Sequence, residues 1–406
     1  MKILVVNAGS SSLKFQLFDM KDEKVIAKGN CEKIGLAGSF IGYTINGVKK
    51  EVKVSMPDHK VAIEKVFEVL TDKKEGVIKD VSEIDAVGHR FVQGGWLFDE
   101  SVLMDDEAVR KLDMIAELSP LHAHANMAGY KGCVALMPNT PQVTVFDTSF
   151  HATMPAKAYM YGIKYEDYEK YHVRKYGFHG TSHRFVMGET AKLLGKKPEE
   201  INIITVHLGN GSSITAIEKG KSIDTTMGLT PLEGLIMGTR SGDLDPTVVS
   251  YLSNKKNMTA DEVVNYLNKQ CGILGVSGVS SDMRELNSAI QEGNKRARLA
   301  LDMLIYRVKK FIGSYMAVLG KVDAIVFTGG IGENQEDLRE ESLAGLENFG
   351  IEIDVDKNNH LPRGTIEEIS TKKSKIRVFR IPTNEELLIA RDTQELVNKM
   401  SKKVSK

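Results

Sequence analysis

The sequence predicts an α/β protein built from a duplicated domain, and three observations carry that expectation. An apolar run, a Gly/Ser-rich turn and a second apolar run occur twice, as ILVVNAGSSSLKFQLFD at 3–19 and INIITVHLGNGSSITAIEKG at 201–220. Further short β-branched runs follow each copy. Long helical periodicity appears between them, most clearly from Ala297 to Leu319. A chain of 406 residues suits two or three domains. A repeated hairpin-first unit suggests two copies with a cleft between them.

The elements follow in order. Ile3-Leu4-Val5-Val6 is a strand, Asn7 to Ser12 is turn chemistry, and Phe15 to Asp19 alternates as a second strand. Residues 81–90 read as a helix end plus a strand that carries His89 and Arg90. Residues 141–146 form a strand that runs into Asp147. In the second copy, 201–208 and 213–218 are strands with Asn210-Gly211-Ser212 at the tip, and Gly220 turns the chain into 221–224. Residues 321–327 form a strand ending in Thr328-Gly329-Gly330-Ile331-Gly332, a loop leading to a helix. A late strand covers 375–381, and a helix follows Thr383.

Composition narrows the function classes. The chain is 42% hydrophobic and 27% charged, with 54 basic and 54 acidic residues. Zero formal net charge argues against a protein that coats nucleic acid or a membrane surface. The three cysteines, Cys31, Cys133 and Cys271, are far apart and form no disulfide framework or zinc ribbon. The opening apolar run breaks at Asn7-Ala8-Gly9, too short for a signal peptide. No run approaches the ~20 apolar residues needed to span a bilayer. The expectation is a cytoplasmic protein without nucleic-acid or membrane partners.

Small residues at a hairpin tip let backbone N–H groups approach an anion, and serine hydroxyls add donors. Either tip alone is an ordinary hairpin turn. Two in matching positions, with Lys14 just after the first, favour one phosphate chain gripped by two loops. There is no G-x-x-x-x-G-K-[ST], so the chain is not a P-loop NTPase. Residues 328–334 do not match G-x-G-x-x-G, though a nucleotide could still lie against that backbone. His179 and His183 have the i,i+4 spacing of a metal pair, but Gly180 and the Thr181/Ser182 cap suggest that the helix begins after His179. A structural role for His183 is therefore favoured over zinc.

Ten strings in order then carry a family resemblance: NAGSSSLKF at 7–15, GHRFVQGG at 88–95, SPLHAHAN at 119–126, VFDTSFHATMP at 145–155, YGFHGTSH at 176–183, HLGNGSS at 207–213, MGLTPLEGLIMGTRSGDLDP at 227–246, GVSSDMRE at 278–285, FTGGIGEN at 327–334 and IPTNEE at 381–386. Over essentially its whole length the chain resembles the acetate kinase (acetokinase) family, within the acetate and sugar kinase/actin superfamily. The resemblance implies two ribonuclease-H-like, actin-like ATPase domains with an interdomain cleft. The first would cover 1–150 plus 383–406, the second 151–382, with Gly-rich connections suited to hinge closure. It implies reversible transfer of the ATP γ-phosphoryl group to acetate, giving acetyl phosphate and ADP by direct in-line displacement. Mg²⁺ would be the metal, with Mn²⁺ as the alternative, and the assembly a homodimer.

The resemblance also assigns residues. Arg90, Asp147, His179 and Arg240 would be catalytic. The acceptor would be bound by Arg90, Val92, Leu121, His122, Phe178 and Pro231. The nucleotide would be held by Ser10, Ser12, Lys14, His207, Asn210, Gly211, Asp282, Met283, Arg284, Gly330, Ile331 and Asn334. Asn7 and Glu385 would hold the metal, with a swap between Glu385 and Glu386 left open. The chemistry agrees: an ionised carboxylate attacking a phosphoryl group needs no general base. It needs cations and in-line placement, and a guanidinium fork suits carboxylate and phosphate oxygens. Two acidic residues alone would also fit a glycosidase pair, but metal ligation, or orientation of an arginine, fits better beside Arg90 and Arg240.

Two stretches depart from the family pattern. Phe91-Val92-Gln93 stands where Val-Val-His is common, which would add bulk near Arg90, and His122-Ala123-His124 where His-Asn-Pro is common. Both leave the acceptor preference open. The alternatives are a propionate or butyrate kinase, and a non-catalytic actin-like nucleotide-binding scaffold.

Overall fold

The computed structural model describes residues 1–404, and the side chains of Leu121, Lys403 and Val404 lie outside the described set. The chain divides into two units. One comprises Met1–Phe150 and the chain from Asn384 onward, the other His151–Thr383.

The first unit is built on eight strands: β1 (Lys2–Ala8), β2 (Ser12–Asp19), β3 (Lys24–Glu32), β4 (Phe40–Ile45), β5 (Val48–Lys53), β6 (Ala86–Phe91), β7 (Val102–Leu103) and β8 (Gln142–Phe146). They lie in the order β5-β4-β3-β2-β1-β6-β8-β7. β1 to β5 form an antiparallel meander, and β6 and β8 continue the sheet in parallel. The first hairpin is tighter than its turn residues suggest. Asn7 pairs with Lys14 and Ala8 with Leu13, so only residues 9–12 remain at the tip. Ile3 to Val6 are all buried because both faces of β1 are covered. On one face Leu4 and Val6 join Phe15, Leu17 and the helix His59–Leu70, whose N-cap Asp58 accepts from Val61 N.

The helix Glu385–Val404 packs on β6 and β1. The approach at Gly88 is close: a Cβ there would lie 2.5 Å from Thr393 Oγ1 and 2.7 Å from Ile389 Cγ2. Gly88→Ala is therefore expected to destabilise the protein by about 1–3 kcal/mol through overpacking. The check is the urea midpoint at unchanged m. A midpoint equal to wild type would show that the helix can shift to admit the methyl group.

The second unit repeats the plan with β9 (Asn202–Leu208), β10 (Ser212–Glu218), β11 (Lys221–Thr225), β12 (Ala324–Thr328), β13 (Glu367–Glu368) and β14 (Arg377–Arg380), ordered β11-β10-β9-β12-β14-β13. Three antiparallel strands are followed by two parallel ones, β12 against β9 and β14 against β12. The order β11-β10-β9-β12-β14 matches β3-β2-β1-β6-β8 strand for strand. Both units thus carry the ribonuclease-H-like order.

Strand alternation gives the β9–β10 ribbon two different faces. Ile204, Val206, Leu208, Ile214 and Ala216 face the long helix Lys295–Leu319, where Leu301, Leu304, Val308 and Ile312 complete the core. The opposite face is polar yet buried: Thr205, His207, Ser213 and Thr215 are each at most 8% exposed. The helix Gly180–Leu193 packs against β9. Residues 329–334, expected as a loop, form a short helix directly after β12. Gly329 makes that turn at φ +77, and a Cβ there would sit 2.6 Å from Leu208 O, so only glycine fits.

Candidate active site

In the first unit, neighbouring parallel strands place a cation beside an anion. Arg90 lies on β6, and Asp147 follows β8. Arg90 Nε donates to Asp147 Oδ1 at 2.9 Å and Nη2 to Oδ2 at 2.7 Å, a bidentate fork that fixes the guanidinium plane. Asp147 is 2% exposed. Burial opposes the charge on Arg90, but Asp147 and Glu385 outweigh it and hold the guanidinium protonated.

Glu385 opens the C-terminal helix, with Oε2 3.9 Å from Arg90 Nε. That oxygen is buried and has no hydrogen-bond partner among the described residues. Burial pushes the Glu385 carboxyl up to about 7. The charges of Asp147 and Glu386 push the same way, against Arg90 and Lys14. Glu386 instead lines a cavity of about 250 Å³ with Asn7 and Lys14. Ser10 is exposed at the β1–β2 tip, and Ser12 begins β2.

Val92 N donates to Asn126 Oδ1 at 3.1 Å, and Asn126 Nδ2 donates to Ala8 O at 2.9 Å. This ties the ends of β1 and β6 together. His122 sits in the first turn of the helix Pro120–Leu136 and lines a cavity of about 230 Å³ with Gln93. Leu121 is adjacent, with its side chain outside the described residues. Phe91 does not crowd Arg90: consecutive strand residues face opposite sides, and Phe91 packs edge-on to Phe146 at 6.1 Å in an apolar cluster. Gln93 accepts from Gly95 N at 2.9 Å.

In the second unit, two cationic or donor side chains converge on the β9–β10 tip. A Cβ at Gly211 would lie 3.2 Å from Arg240 Nη1 and 3.3 Å from His179 Nε2. His179 is the N-cap of the helix Gly180–Leu193, held in the left-handed region at φ 56. For a residue other than glycine this is stored backbone strain. Its ring stacks on His207 at 4.3 Å. Arg240 sits in a loop pinned by Met237 N to Arg240 O at 3.0 Å and by Gly238 N to Asn210 O at 3.1 Å. Its guanidinium donates to Pro231 O at 3.2 Å and touches the Met237 sulfur. No carboxylate among the described residues pairs with it, and burial lowers its pKa. Phe178 is buried, and its carbonyl accepts from His151 Nε2 at 2.9 Å.

Asp282, Met283, Arg284, Gly330, Ile331 and Asn334 line one cavity of about 660 Å³, with Asn210 at its hairpin end. Asp282 also caps the helix Met283–Gln291 and forms an ion pair with Arg284 at 2.6 Å. Structural and binding roles therefore coexist there.

No group of three or more His, Cys, Asp or Glu among the described residues could hold a metal ion. At the His179/His183 pair, both ring nitrogens of His183 meet hydroxyls, Thr205 Oγ1 and Ser213 Oγ, each at 2.7 Å. A magnesium ion carried with a nucleotide needs only one or two carboxylates, and the orphaned Oε2 of Glu385 fits that donor set.

The model of the acetokinase family matches residues 2–391. The chain belongs to the acetokinase family. An acetate kinase of Clostridium kluyveri is 56% identical over 400 residues, 98% of either chain. A crystal structure of Porphyromonas gingivalis acetate kinase superposes with a TM-score of 0.94 at 47% identity, covering 98% of this chain and 99% of that one. A propionate kinase from Francisella tularensis gives 0.91 at 42% identity, over 97% and 99%.

This acetokinase chain also uses residues that its motifs do not single out. Asn126 bridges β1 and β6. Ser281, Asn287, Gln335 and Arg363 complete the lining of the 660 Å³ cavity. Ser213 and Thr205 bond the buried imidazole of His183. Asn126, Ser281 and Ser213 stand inside the strings at 119–126, 278–285 and 207–213 without a role of their own, and Thr205 and Ser213 left a further trace as polar residues alternating within two otherwise apolar strands.

Proposed function

We propose that this chain transfers the γ-phosphoryl group of ATP to acetate, reversibly, giving acetyl phosphate and ADP. The observation that carries the reading is the contrast between two arginines. Arg90 is locked by Asp147, whereas Arg240 is partly buried beside a Gly/Ser hairpin tip with no carboxylate partner among the described residues. A desolvated cation without a counter-ion is poised for an anionic ligand.

In this reading Arg90 orients the acceptor carboxylate, and Arg240 and His179 stabilise the transferring phosphoryl group in line. Lys14, Ser10, Ser12, His207, Asn210 and Gly211 hold phosphates, and the 660 Å³ cavity takes the adenosine. Val92, Leu121, His122, Phe178 and Pro231 enclose the methyl group. Glu385, with Asn7, would hold Mg²⁺ or Mn²⁺, which when bound neutralises charge on the phosphates. Among the described residues no helix is long and apolar enough to cross a membrane. A cytoplasmic homodimer suits the family.

The likeness to a propionate kinase supplies a second reading. A pocket separates one methylene by only ~1–3 kcal/mol, so propionate is expected as a slower substrate. A hydroxamate assay with Mg·ATP and acetate, propionate or butyrate tests both. Acetate as the fastest acid supports the proposal, and propionate as the fastest replaces it with the second reading. No product from any acid, with nucleotide still bound, leaves the actin-like scaffold.

A further inference from the structure

The buried polar layer between β9–β10 and the helix Gly180–Leu193 contains a continuous hydrogen-bond chain. Thr205 Oγ1 meets His183 Nδ1 at 2.7 Å, and His183 Nε2 meets Ser213 Oγ at 2.7 Å. The same Ser213 Oγ meets His179 Nδ1 at 2.9 Å. Thr205, His183 and Ser213 are each fully buried. We propose that Thr205, His183 and Ser213 act as positioning residues that hold His179 in the tautomer with a bare Nδ1 and a protonated Nε2.

The direction of the chain follows from counting protons. A hydroxyl carries one proton, and a neutral imidazole carries one N–H and one acceptor nitrogen. Thr205 sits at the end. Among the described residues its hydroxyl meets no acceptor other than His183 Nδ1, so its proton goes there. His183 must then carry its own proton on Nε2 and donate to Ser213 Oγ. Among the described residues the Ser213 hydroxyl then meets no acceptor other than His179 Nδ1, so its proton points there, and the remaining proton of His179 sits on Nε2. The reverse order would bury the Thr205 O–H without an acceptor, which folded proteins avoid. A doubly protonated His183 would leave Thr205 in the same position. Burial, with His151 and His207 nearby, also holds His183 well below the usual imidazole range.

The consequence lies at the hairpin tip. His179 Nε2 lies 3.3 Å from the Cβ position of Gly211, where Arg240 Nη1 also points. A fixed Nε2–H makes His179 a hydrogen-bond donor while its ring is neutral. The phosphoryl oxygen as recipient rests on the phosphotransferase reading above; the tautomer does not. The relay also accounts for Thr205 and Ser213 among the polar residues on one face of an otherwise apolar ribbon. A fully satisfied network in a dry layer is rigid and directional, as an aimed donor requires.

The test is a long-range ¹H–¹⁵N correlation spectrum of the full chain carrying ¹⁵N-histidine, without nucleotide, near neutral pH. His179 is assigned by its loss in His179→Asn. The expected spectrum shows His179 protonated on Nε2 and bare on Nδ1. In Thr205→Val the signals average between tautomers, and kcat falls roughly tenfold, part of what loss of one transition-state donor costs, with both KM values within about twofold. Thr205→Ser restores both readouts. A wild-type His179 with its proton on Nδ1, or with averaged tautomers, overturns the proposal whether or not the variant folds. So does a Thr205→Val variant that keeps the wild-type tautomer. A fixed Nε2–H tautomer in a chain that makes no acyl phosphate would instead sink the phosphotransferase reading and leave the relay standing.

Discussion

Arg240→Ala is expected to lower kcat for acetyl phosphate formation by about 10³-fold, while the variant folds as stably as wild type or slightly more so. The size of the kinetic loss follows from removing one charged donor from a partly desolvated site, about 4 kcal/mol of transition-state stabilisation. The stability effect has the opposite sign for a physical reason. Among the described residues the guanidinium holds only a carbonyl at 3.2 Å and a thioether contact, and burial disfavours its charge. Truncating it removes a desolvation cost and leaves no carboxylate stranded. Lysine would not substitute, because a point charge cannot reproduce the planar fork. Hydroxamate rates and urea unfolding of the same preparations give the two numbers. A rate loss below tenfold, or a stability loss above about 2 kcal/mol, would make Arg240 a structural residue.

The parts of this architecture that depend on local pattern were legible in the sequence. The two hairpins show as period-2 apolar runs around Gly/Ser turns, and they recur as β1–β2 and β9–β10 with matching strand order. Arg90 and Asp147 could each be placed at a strand end. Their bidentate contact could not, because it depends on which strands become parallel neighbours, a choice made by packing across 57 residues of chain. The side to which Phe91 points is a question of register: one step along β6 turns it from the cation face to the apolar cluster. Residues 329–334 looked like a loop because Gly-Gly lowers helix propensity. The left-handed Gly329 and the close passage by Leu208 O instead start a helix there. The polar face of β9–β10 was visible as Thr205, His207, Ser213 and Thr215, yet only the folded neighbours show that Thr205 and Ser213 bond His183, His207 bonds Ser182 and Thr215 bonds Thr225.

Glu385 extends the argument about Arg240 to an anion, with a pH dependence that can be worked out. Its carboxyl binds a proton more tightly in the folded chain, up to about 7, than at its ordinary value of 4.5. Protonation of Glu385 therefore favours folding. That contribution is fully present below about pH 4.5 and is lost as pH rises through 7. Above 7 the ionised carboxylate costs the fold on the order of 1–3 kcal/mol, at ~1.4 kcal/mol per unit of pKa, discounted because the side chain keeps 21% of its accessibility. Glu385→Gln is accordingly expected to be more stable than wild type by that amount near pH 8, and to match it near pH 4, where the wild-type residue is already neutral. The same variant should lose about 10²- to 10³-fold in kcat, because an amide cannot replace the charge that a divalent ion needs. Mg·ADP should raise the melting temperature of wild type more than that of the variant. Equal stabilisation of both by Mg·ADP would move the metal role to Glu386, which shares its cavity with Asn7 and Lys14. A variant less stable than wild type at both pH values would mean that the orphaned Oε2 is anchored by Arg90 despite the 3.9 Å separation. Arg240 and Glu385 would then differ in kind: one a charge waiting for its ligand, the other a counter-ion already in place.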